Sequence, residues 1–157
     1  MYYNISNDRM LESLNSHVKK VREGKEMLIN EYYREETEES IKLSIFLKEY
    51  VSSLNNYINS TKSNNESGMI QPVVTIGSIV TVKDLDDNKI YRYQIVLPFL
   101  TNLNSDHDDA SCLSPLGKAL LLKTIDEKVE IEIPAGTLRY VVKSITPPES
   151  FIPAYNK

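Results

Sequence analysis

The stretch that decides the fold reads Ser-Pro-Leu-Gly-Lys-Ala-Leu-Leu and occupies residues 114–121. Ser114 and Pro115 predict the start of a helix, because serine is a favoured N-cap and proline suits the first helical position. Apolar residues then follow at helical spacing, namely Leu116, Ala119 and Leu120. The segments on both sides alternate in hydropathy with the two-residue period of strands. The C-terminal part is therefore predicted to be an antiparallel sheet with one short helix, which makes the chain an α+β protein.

Two strand pairs are predicted around that helix, each joined by residues typical of turns. The first pair turns at Asp86-Asp87-Asn88 and the second at Pro134-Ala135-Gly136. The four strands are predicted at residues 79–82, 89–97, 129–133 and 138–145. Residues 100–111 are polar and are predicted to form a loop.

The N-terminal part, residues 1–60, is predicted to be a helical coiled-coil arm. Residues 8–60 contain no proline and one glycine, Gly24, which is expected to mark a bend or a short break. Two seams recur at steps of three and four. The first seam is Leu11, Leu14, Val18, Val21, Lys25, Leu28 and Tyr32, and the second is Leu43, Leu47, Tyr50, Leu54 and Tyr57.

Between the seams, residues 34–40 offer no apolar side chain to bury, so the chain can reverse there into an antiparallel hairpin. A threonine or serine would cap the second helix. The pattern leaves an alternative open, because the eleven-residue step from Tyr32 to Leu43 also fits one continuous helix that would need a partner chain. Residues 61–70 are polar and are predicted to be a linker, followed by a C-terminal domain with a short tail at 71–157.

Five segments of the C-terminal domain stand in a recognisable order. They are Val73-Thr75-Ile76-Gly77-Ser78 (with one residue skipped), Val80-Thr81-Val82, Tyr93-Gln94-Ile95-Val96, residues 114–121, and Val129-Glu130-Ile131-Glu132-Ile133-Pro134-Ala135-Gly136. In order and spacing they resemble the C-terminal domain of the Gre-type (GreA/GreB) factors that act on bacterial RNA polymerase. The resemblance implies an FKBP-like domain that docks on the polymerase. It also implies that the preceding helices form a hairpin, so it favours the hairpin over the continuous helix.

The resemblance also implies which residues bind the polymerase. In the family a serine, an acidic residue and a proline near the short helix contact the polymerase. Ser111 and Pro115 match the first and the last of these, while Leu113 stands where the acid is expected, so one polar contact is lost or replaced. Ser114 completes the implied surface. A helix start alone would also explain Ser114 and Pro115, and both interpretations can hold together.

An acidic cluster at the predicted arm tip consists of Glu35, Glu36, Glu38 and Glu39, with Glu31 one turn earlier. The resemblance implies that such carboxylates reach the polymerase secondary channel and share its catalytic magnesium ion, since magnesium prefers oxygen ligands. A solvated turn, or favourable interaction with the dipole of the second helix, is the alternative. The Gly-Asp-Leu-x-Glu-Asn stretch of the cleavage factors is missing from this chain.

The expected function is therefore that of an RNA polymerase-binding elongation regulator, not an enzyme and without a cofactor of its own. Three alternatives stay open. They are a transcript cleavage factor that rescues backtracked polymerase, a prolyl isomerase suggested by fold analogy alone, and a coiled-coil adaptor without a polymerase role. The aromatic content argues against the isomerase, because the chain has no tryptophan and three phenylalanines.

Charge and composition limit the partners further. The net charge of -4 and the pI near 5.3 argue against a surface that grips nucleic acid, so nucleic acid is expected to be contacted only within the polymerase complex. No apolar run reaches the length of a membrane span, and a cytoplasmic monomer is expected. Cys112, the single cysteine, is predicted to be a small apolar residue near a strand end.

Two groups of residues resemble sites of chemistry but are assigned other roles. His17 is predicted to lie on the helix surface rather than to act as a base. Asp106, His107 and Asp108 are predicted to lie in a solvated loop, because neighbouring loop residues seldom converge on one metal ion.

Overall fold

The computed structural model describes residues 7–33, 35–63, 71–98 and 107–148. The chain divides into two compact units. The first, Tyr3–Ile70, is called the arm unit, and the second, made mainly of Gln71–Lys157, is called the sheet unit. The predicted linker at 61–70 lies outside the described residues from residue 64 onward.

The arm unit consists of two helices, α1 (Asn7–Tyr32) and α2 (Glu38–Ser63), which pack antiparallel. The hairpin prediction is confirmed, and the alternative of one continuous helix is wrong. The helix α1 runs through Gly24 without interruption. Apolar residues buried in the arm are Leu11, Leu14, Val18, Val21, Leu43, Leu47, Tyr50, Val51, Leu54 and Ile58. The second seam thus ends on Ile58, and its predicted last member, Tyr57, is half-buried.

The sheet unit contains five strands and one short helix, α3 (Pro115–Leu120). The strands are β1 (Ile79–Asp84), β2 (Ile90–Val96), β3 (Asp108–Ser111), β4 (Lys128–Ile133) and β5 (Gly136–Thr146). Their order in the sheet is β3-β2-β1-β5-β4. The four predicted strands and the helix are all present. Alternating burial along β1 and β4 follows the predicted period of two.

Two predictions about the sheet are wrong. Residues 108–111 form the strand β3 rather than a loop, and the sheet is mixed rather than wholly antiparallel. The strand β3 runs parallel to β2, with Asp108 opposite Tyr93 and Ser111 opposite Val96. The other edge of β2 is already paired with β1. A polar segment can fill the remaining edge because pairing uses backbone groups, and Ala110 supplies the buried side chain.

The helix α3 packs against the core face of the sheet. It contacts β3 and β4, the strands at opposite edges of the sheet, so the sheet curls around the helix. Leu120 of α3 is fully buried, as are Val80, Val82 and Val142 of the central strands. Among the helices that the structure describes, none combines the length and the hydropathy of a membrane-spanning segment.

Candidate functional site

The β3–α3 corner (residues 111–117) is held in shape by hydrogen bonds of its two serines. The Ser111 hydroxyl accepts from the Leu113 amide at 3.1 Å, and the Ser111 carbonyl accepts from the amide and the hydroxyl of Ser114 at 3.0 and 2.7 Å. The Ser114 hydroxyl in turn accepts from the Gly117 amide at 3.0 Å, which is the predicted N-cap bond. The corner is therefore a closed network whose backbone shape does not depend on a partner.

The four residues implied to bind the polymerase sit on this corner. Pro115 is exposed at the first position of α3, while Ser111, Leu113 and Ser114 are half-buried. The serines thus set the backbone, and Pro115 is the side chain of the four that is most open to a partner. An arginine or a lysine on a partner would find no carboxylate at position 113, where leucine stands.

Gly117 has a structural role in this corner that the sequence pattern does not indicate. A Cβ atom at this position would lie 1.9 Å from the carbonyl oxygen of Ser111 and 2.8 Å from its carbonyl carbon. Neither atom can move aside easily, because both belong to the backbone of β3. Glycine therefore lets α3 touch the end of β3, and this close approach creates the corner.

The arm tip is closed by a reciprocal cap at the start of α2. The Thr37 hydroxyl accepts from the Ser40 amide at 3.1 Å, and the Ser40 hydroxyl accepts from the Thr37 amide at 2.9 Å. This is the arrangement of a capping box, with serine in place of the usual glutamate or glutamine. The predicted cap by a threonine or serine is confirmed, and the connection between the helices is fixed at its α2 end.

The four glutamates of the acidic cluster are all exposed at this tip. Glu35 and Glu36 lie in the connection, while Glu38 and Glu39 lie in the first turn of α2, where carboxylates interact favourably with the helix dipole. Glu38 also approaches Lys42 at 3.8 Å, a surface pair of little energetic weight. The side chain of Glu31, one turn earlier, lies outside the described residues.

A groove opens beside these glutamates, between the end of α1 and the start of α2. It has a volume of about 360 Å³ and is called the tip groove. The residues that line it are Ile29, Asn30, Tyr33, Glu35, Glu36, Ser40, Ile41, Ser44 and Ile45. Ile41 and Ile45 are 43% and 54% exposed, although they are large and apolar. The seam pattern does not include these two isoleucines, since they lie beside the buried stripe of α2 rather than on it.

The prediction that His17 lies on the helix surface is wrong, because His17 is buried in the arm. Its Nε2 atom lies 2.8 Å from the Tyr50 hydroxyl, and the two rings meet edge to face at 5.9 Å. Burial, aided by the nearby charge of Lys20, lowers the pKa of His17 to about 4. A histidine of this kind is neutral at physiological pH and serves the packing of the helices.

A second buried histidine, His107, lies in the sheet unit. Its burial contradicts the prediction that this residue lies in a solvated loop. Its Nε2 atom lies 3.0 Å from Oε1 of Gln94, whose amide nitrogen donates to the Gly77 carbonyl at 3.2 Å. Asp108 is an exposed residue of β3, and Asp106 lies outside the described residues. Among the described residues, no three His, Cys, Asp or Glu side chains are placed to hold a metal ion.

Cys112 is fully buried directly after β3, and its amide donates to the Val96 carbonyl at 2.8 Å. Burial raises the pKa of the Cys112 thiol to about 12. A thiol in this state is a weak nucleophile, because the thiolate is the reactive form. Cys112 therefore acts as the small apolar residue that its sequence context predicts.

Three tyrosines form a cluster that the sequence analysis did not anticipate. The rings of Tyr91, Tyr93 and Tyr140 lie 6.1 to 6.5 Å apart. The hydroxyls of Tyr93 and Tyr140 are 3.0 Å apart, and the Tyr91 hydroxyl donates to Asp87 at 2.9 Å. Burial and the bond with Tyr93 raise the pKa of Tyr140. Each hydroxyl of the cluster thus has a hydrogen-bond partner within the sheet unit, and the cluster connects β2 to β5 across β1.

Comparison with known proteins places the five strands and the short helix of the sheet unit in one family. Residues 69–147, about half of the chain, match the family described as "Transcription elongation factor, GreA/GreB, C-term". The matched segment includes the complete β3–α3 corner. Among solved structures, the chain is similar to GreA factor homolog 1 of Thermus thermophilus, with 18% identity, 92% of this chain and 96% of that chain covered, and a TM-score of 0.43.

Individual relatives bear the same family name. Transcription elongation factor GreA of Clostridioides difficile (strain 630) is 34% identical over 110 residues, which cover 70% of this chain and 68% of the relative. GreA of Bacillus cereus (strain ATCC 14579) is 31% identical over 105 residues, covering 64% and 62%. GreA of Novosphingobium aromaticivorans is 39% identical over 72 residues, so the matched part spans only 44% of that relative. The chain belongs to the GreA/GreB family of transcription elongation factors.

Proposed function

We propose that this protein regulates transcription elongation by binding bacterial RNA polymerase at its secondary channel. The observation that supports this most directly is the family match of residues 69–147, which contains the β3–α3 corner. The corner presents Pro115 on a backbone that the two serines have already fixed. A preorganised surface of this kind loses little conformational entropy when it binds.

The two units have separate tasks in this proposal. The sheet unit docks on the polymerase through the β3–α3 corner, and the arm unit brings its acidic tip into the channel. The exposed carboxylates act there through their negative charge. The protein binds and regulates rather than catalyses, and it meets nucleic acid only inside the complex.

Magnesium has a limited place in the proposal. The described residues of the tip do not form a magnesium site by themselves. The four glutamates are exposed and spread over the connection and the first turn of α2. Any contact with magnesium is proposed as a contact with the metal of the polymerase active site, and the regulation does not depend on it.

A substitution on the β3–α3 corner tests the docking surface. Pro115→Arg is expected to weaken binding to core RNA polymerase on the order of tenfold, because a long charged side chain replaces the most exposed residue of the surface. Pro115 makes no backbone N–H bond, so the fold should tolerate the change. Binding of the labelled full chain to core polymerase, followed by fluorescence anisotropy, measures the effect.

Pro134→Arg is the matched control, since Pro134 is another exposed proline and lies in the turn between β4 and β5. It is expected to bind like the wild type. Equal affinities of the two arginine variants, with unchanged circular dichroism, would show that the polymerase docks elsewhere and would contradict the proposal.

Stimulation of transcript cleavage is the second candidate function, and one observation favours it: four exposed carboxylates crowd the tip. Metal-assisted chemistry requires ligands placed to within about 0.5 Å, and the chain lacks the Gly-Asp-Leu-x-Glu-Asn stretch that the cleavage factors carry at the arm tip. We therefore expect the wild type to change pausing without accelerating cleavage of backtracked RNA.

The measurement compares the wild type with a variant in which Glu35, Glu36, Glu38 and Glu39 are all glutamine, using stalled and backtracked elongation complexes. The variant is expected to lose the effect on pausing while it still binds core polymerase. Rapid cleavage with the wild type that disappears in the variant would establish a cleavage factor instead.

A further inference from the structure

The tip groove combines apolar and acidic side chains in one place. Ile41 and Ile45 are one helical turn apart on α2, and both leave about half of their surface exposed. Glu35 and Glu36 line the same groove. The exposure of these isoleucine side chains to water at the arm tip is unfavourable. They are therefore suited to burial against a partner.

On α2, the exposed apolar surface is confined to the tip. The next positions of the same stripe on α2 are Lys48 and Ser52, both polar and exposed. A seam for a second helix would need apolar residues over several heptads. The groove is thus shaped for a short insertion rather than for lateral pairing with another long helix.

The charge of the groove selects the chemistry of its occupant. Glu35 and Glu36 line it, and Glu38 and Glu39 follow directly in the chain, all of them exposed. These carboxylates repel the phosphates of RNA and DNA. They would also repel the same carboxylates of a second copy of this chain. A protein segment with an apolar side chain next to a lysine or arginine complements both features of the groove.

We propose that the tip groove is a docking site for such a segment, with the apolar side chain packed on Ile41 and Ile45 and the basic side chain beside Glu35 and Glu36. The inference rests on the proposed function, and it assigns the segment to the polymerase wall that faces the arm tip. The arm thus binds the channel by shape and apolar contact, in addition to the charge of its glutamates.

Two pairs of substitutions separate these contributions. Ile41→Gln with Ile45→Gln is expected to weaken binding to core polymerase on the order of tenfold at both low and high salt, since apolar burial is lost. Glu35→Gln with Glu36→Gln is expected to weaken binding at low salt and to have a much smaller effect at high salt, because ions screen the charges. Both pairs lie on exposed positions, and circular dichroism checks the helices.

The matched control for these pairs is Ser52→Gln with Asn56→Gln, two exposed positions farther along α2, which should bind like the wild type. Wild-type affinity of the isoleucine pair would overturn the inference. If Pro115→Arg still weakened binding in that case, the proposed function would stand; if neither variant weakened it, the proposed function would fall as well. Loss of self-association in the isoleucine pair, measured by sedimentation, would show that a second copy is the occupant and would also overturn the inference.

Crosslinking identifies the segment directly. The Ile45→Cys variant is labelled at its new cysteine with a benzophenone maleimide. The native Cys112 should stay unlabelled, because it is fully buried and the pKa of its thiol is raised to about 12. Irradiation with core polymerase is expected to yield a polymerase peptide that has a lysine or arginine beside the crosslinked apolar residue. A crosslink to RNA, or to a second copy of the chain, would contradict the proposal.

Discussion

Replacing Gly117 with alanine is expected to lower the free energy of unfolding of the sheet unit by about 3 kcal/mol or more. The added Cβ would lie 1.9 Å from the Ser111 carbonyl oxygen, so either α3 or the end of β3 must move. Alanine is favoured over glycine within helices by about 1 kcal/mol. A loss of stability therefore reports the overlap with β3 and not helix propensity.

Urea unfolding of the full chain, followed through the NMR signals of the sheet-unit amides, measures this change separately from the arm unit. Gly136→Ala is the informative control. Gly136 has a positive φ of 137° but nothing within 4 Å of its added Cβ, so it tests backbone strain without overlap. It should cost about 1 to 2 kcal/mol. A Gly117→Ala variant no less stable than Gly136→Ala would mean that the corner can open to admit a methyl group.

Mild acid is expected to destabilise the arm unit by about 3 kcal/mol as the pH falls from about 7 to about 4. The pKa of His17 is about 4 in the folded arm, below its ordinary value of 6.5, because burial disfavours the charged ring. The unfolded arm then takes up a proton more readily than the folded arm. The contribution of His17 is fully present above pH 6.5 and is lost as the pH falls toward the folded pKa.

A double variant, His17→Leu with Tyr50→Phe, isolates this contribution. It replaces both members of the buried bond by apolar residues of similar size, so neither member leaves the other unpaired. Urea midpoints from helical circular dichroism at the two pH values should differ much less than in the wild type. An equally large difference in the double variant would assign the acid sensitivity to groups other than His17.

Local patterns predicted most of the secondary structure, because most elements carry their own signals. Ser114 and Pro115 mark the start of α3, and turn residues separate β1 from β2 and β4 from β5. The strand β3 has no such signal, because three of its four residues are polar and the strand is ordered by pairing with the backbone of β2. An element that depends on a distant partner leaves little trace in its own sequence.

The same reasoning explains the two histidines. His17 is buried because Tyr50, 33 positions later, offers a hydroxyl, and His107 is buried because Gln94 offers an amide oxygen. Periodicity alone assigns a polar residue to the surface. Only the folded arrangement shows which polar groups find partners inside it.

The candidate site was predicted in part. The resemblance located the β3–α3 corner and the acidic tip, whereas Gly117 and the tip groove required coordinates. Gly117 matters because its close approach to the Ser111 backbone leaves no space for a Cβ atom. Ile41 and Ile45 matter through their exposure beside α1, which an apolar residue in a helical stretch does not reveal by itself.

The charged residues on the two edge strands affect whether sheets of different molecules can associate at high protein concentration. An unpaired edge strand is a template on which further strands can add, the first step toward fibrils. In the sheet unit, the edge strand β3 is only four residues long and begins with Asp108 and Asp109, and the opposite edge β4 carries exposed Lys128, Glu130 and Glu132. An incoming strand would have to bury these charges. The charged residues of β3 and β4 therefore oppose the addition of a further strand at either edge of the sheet.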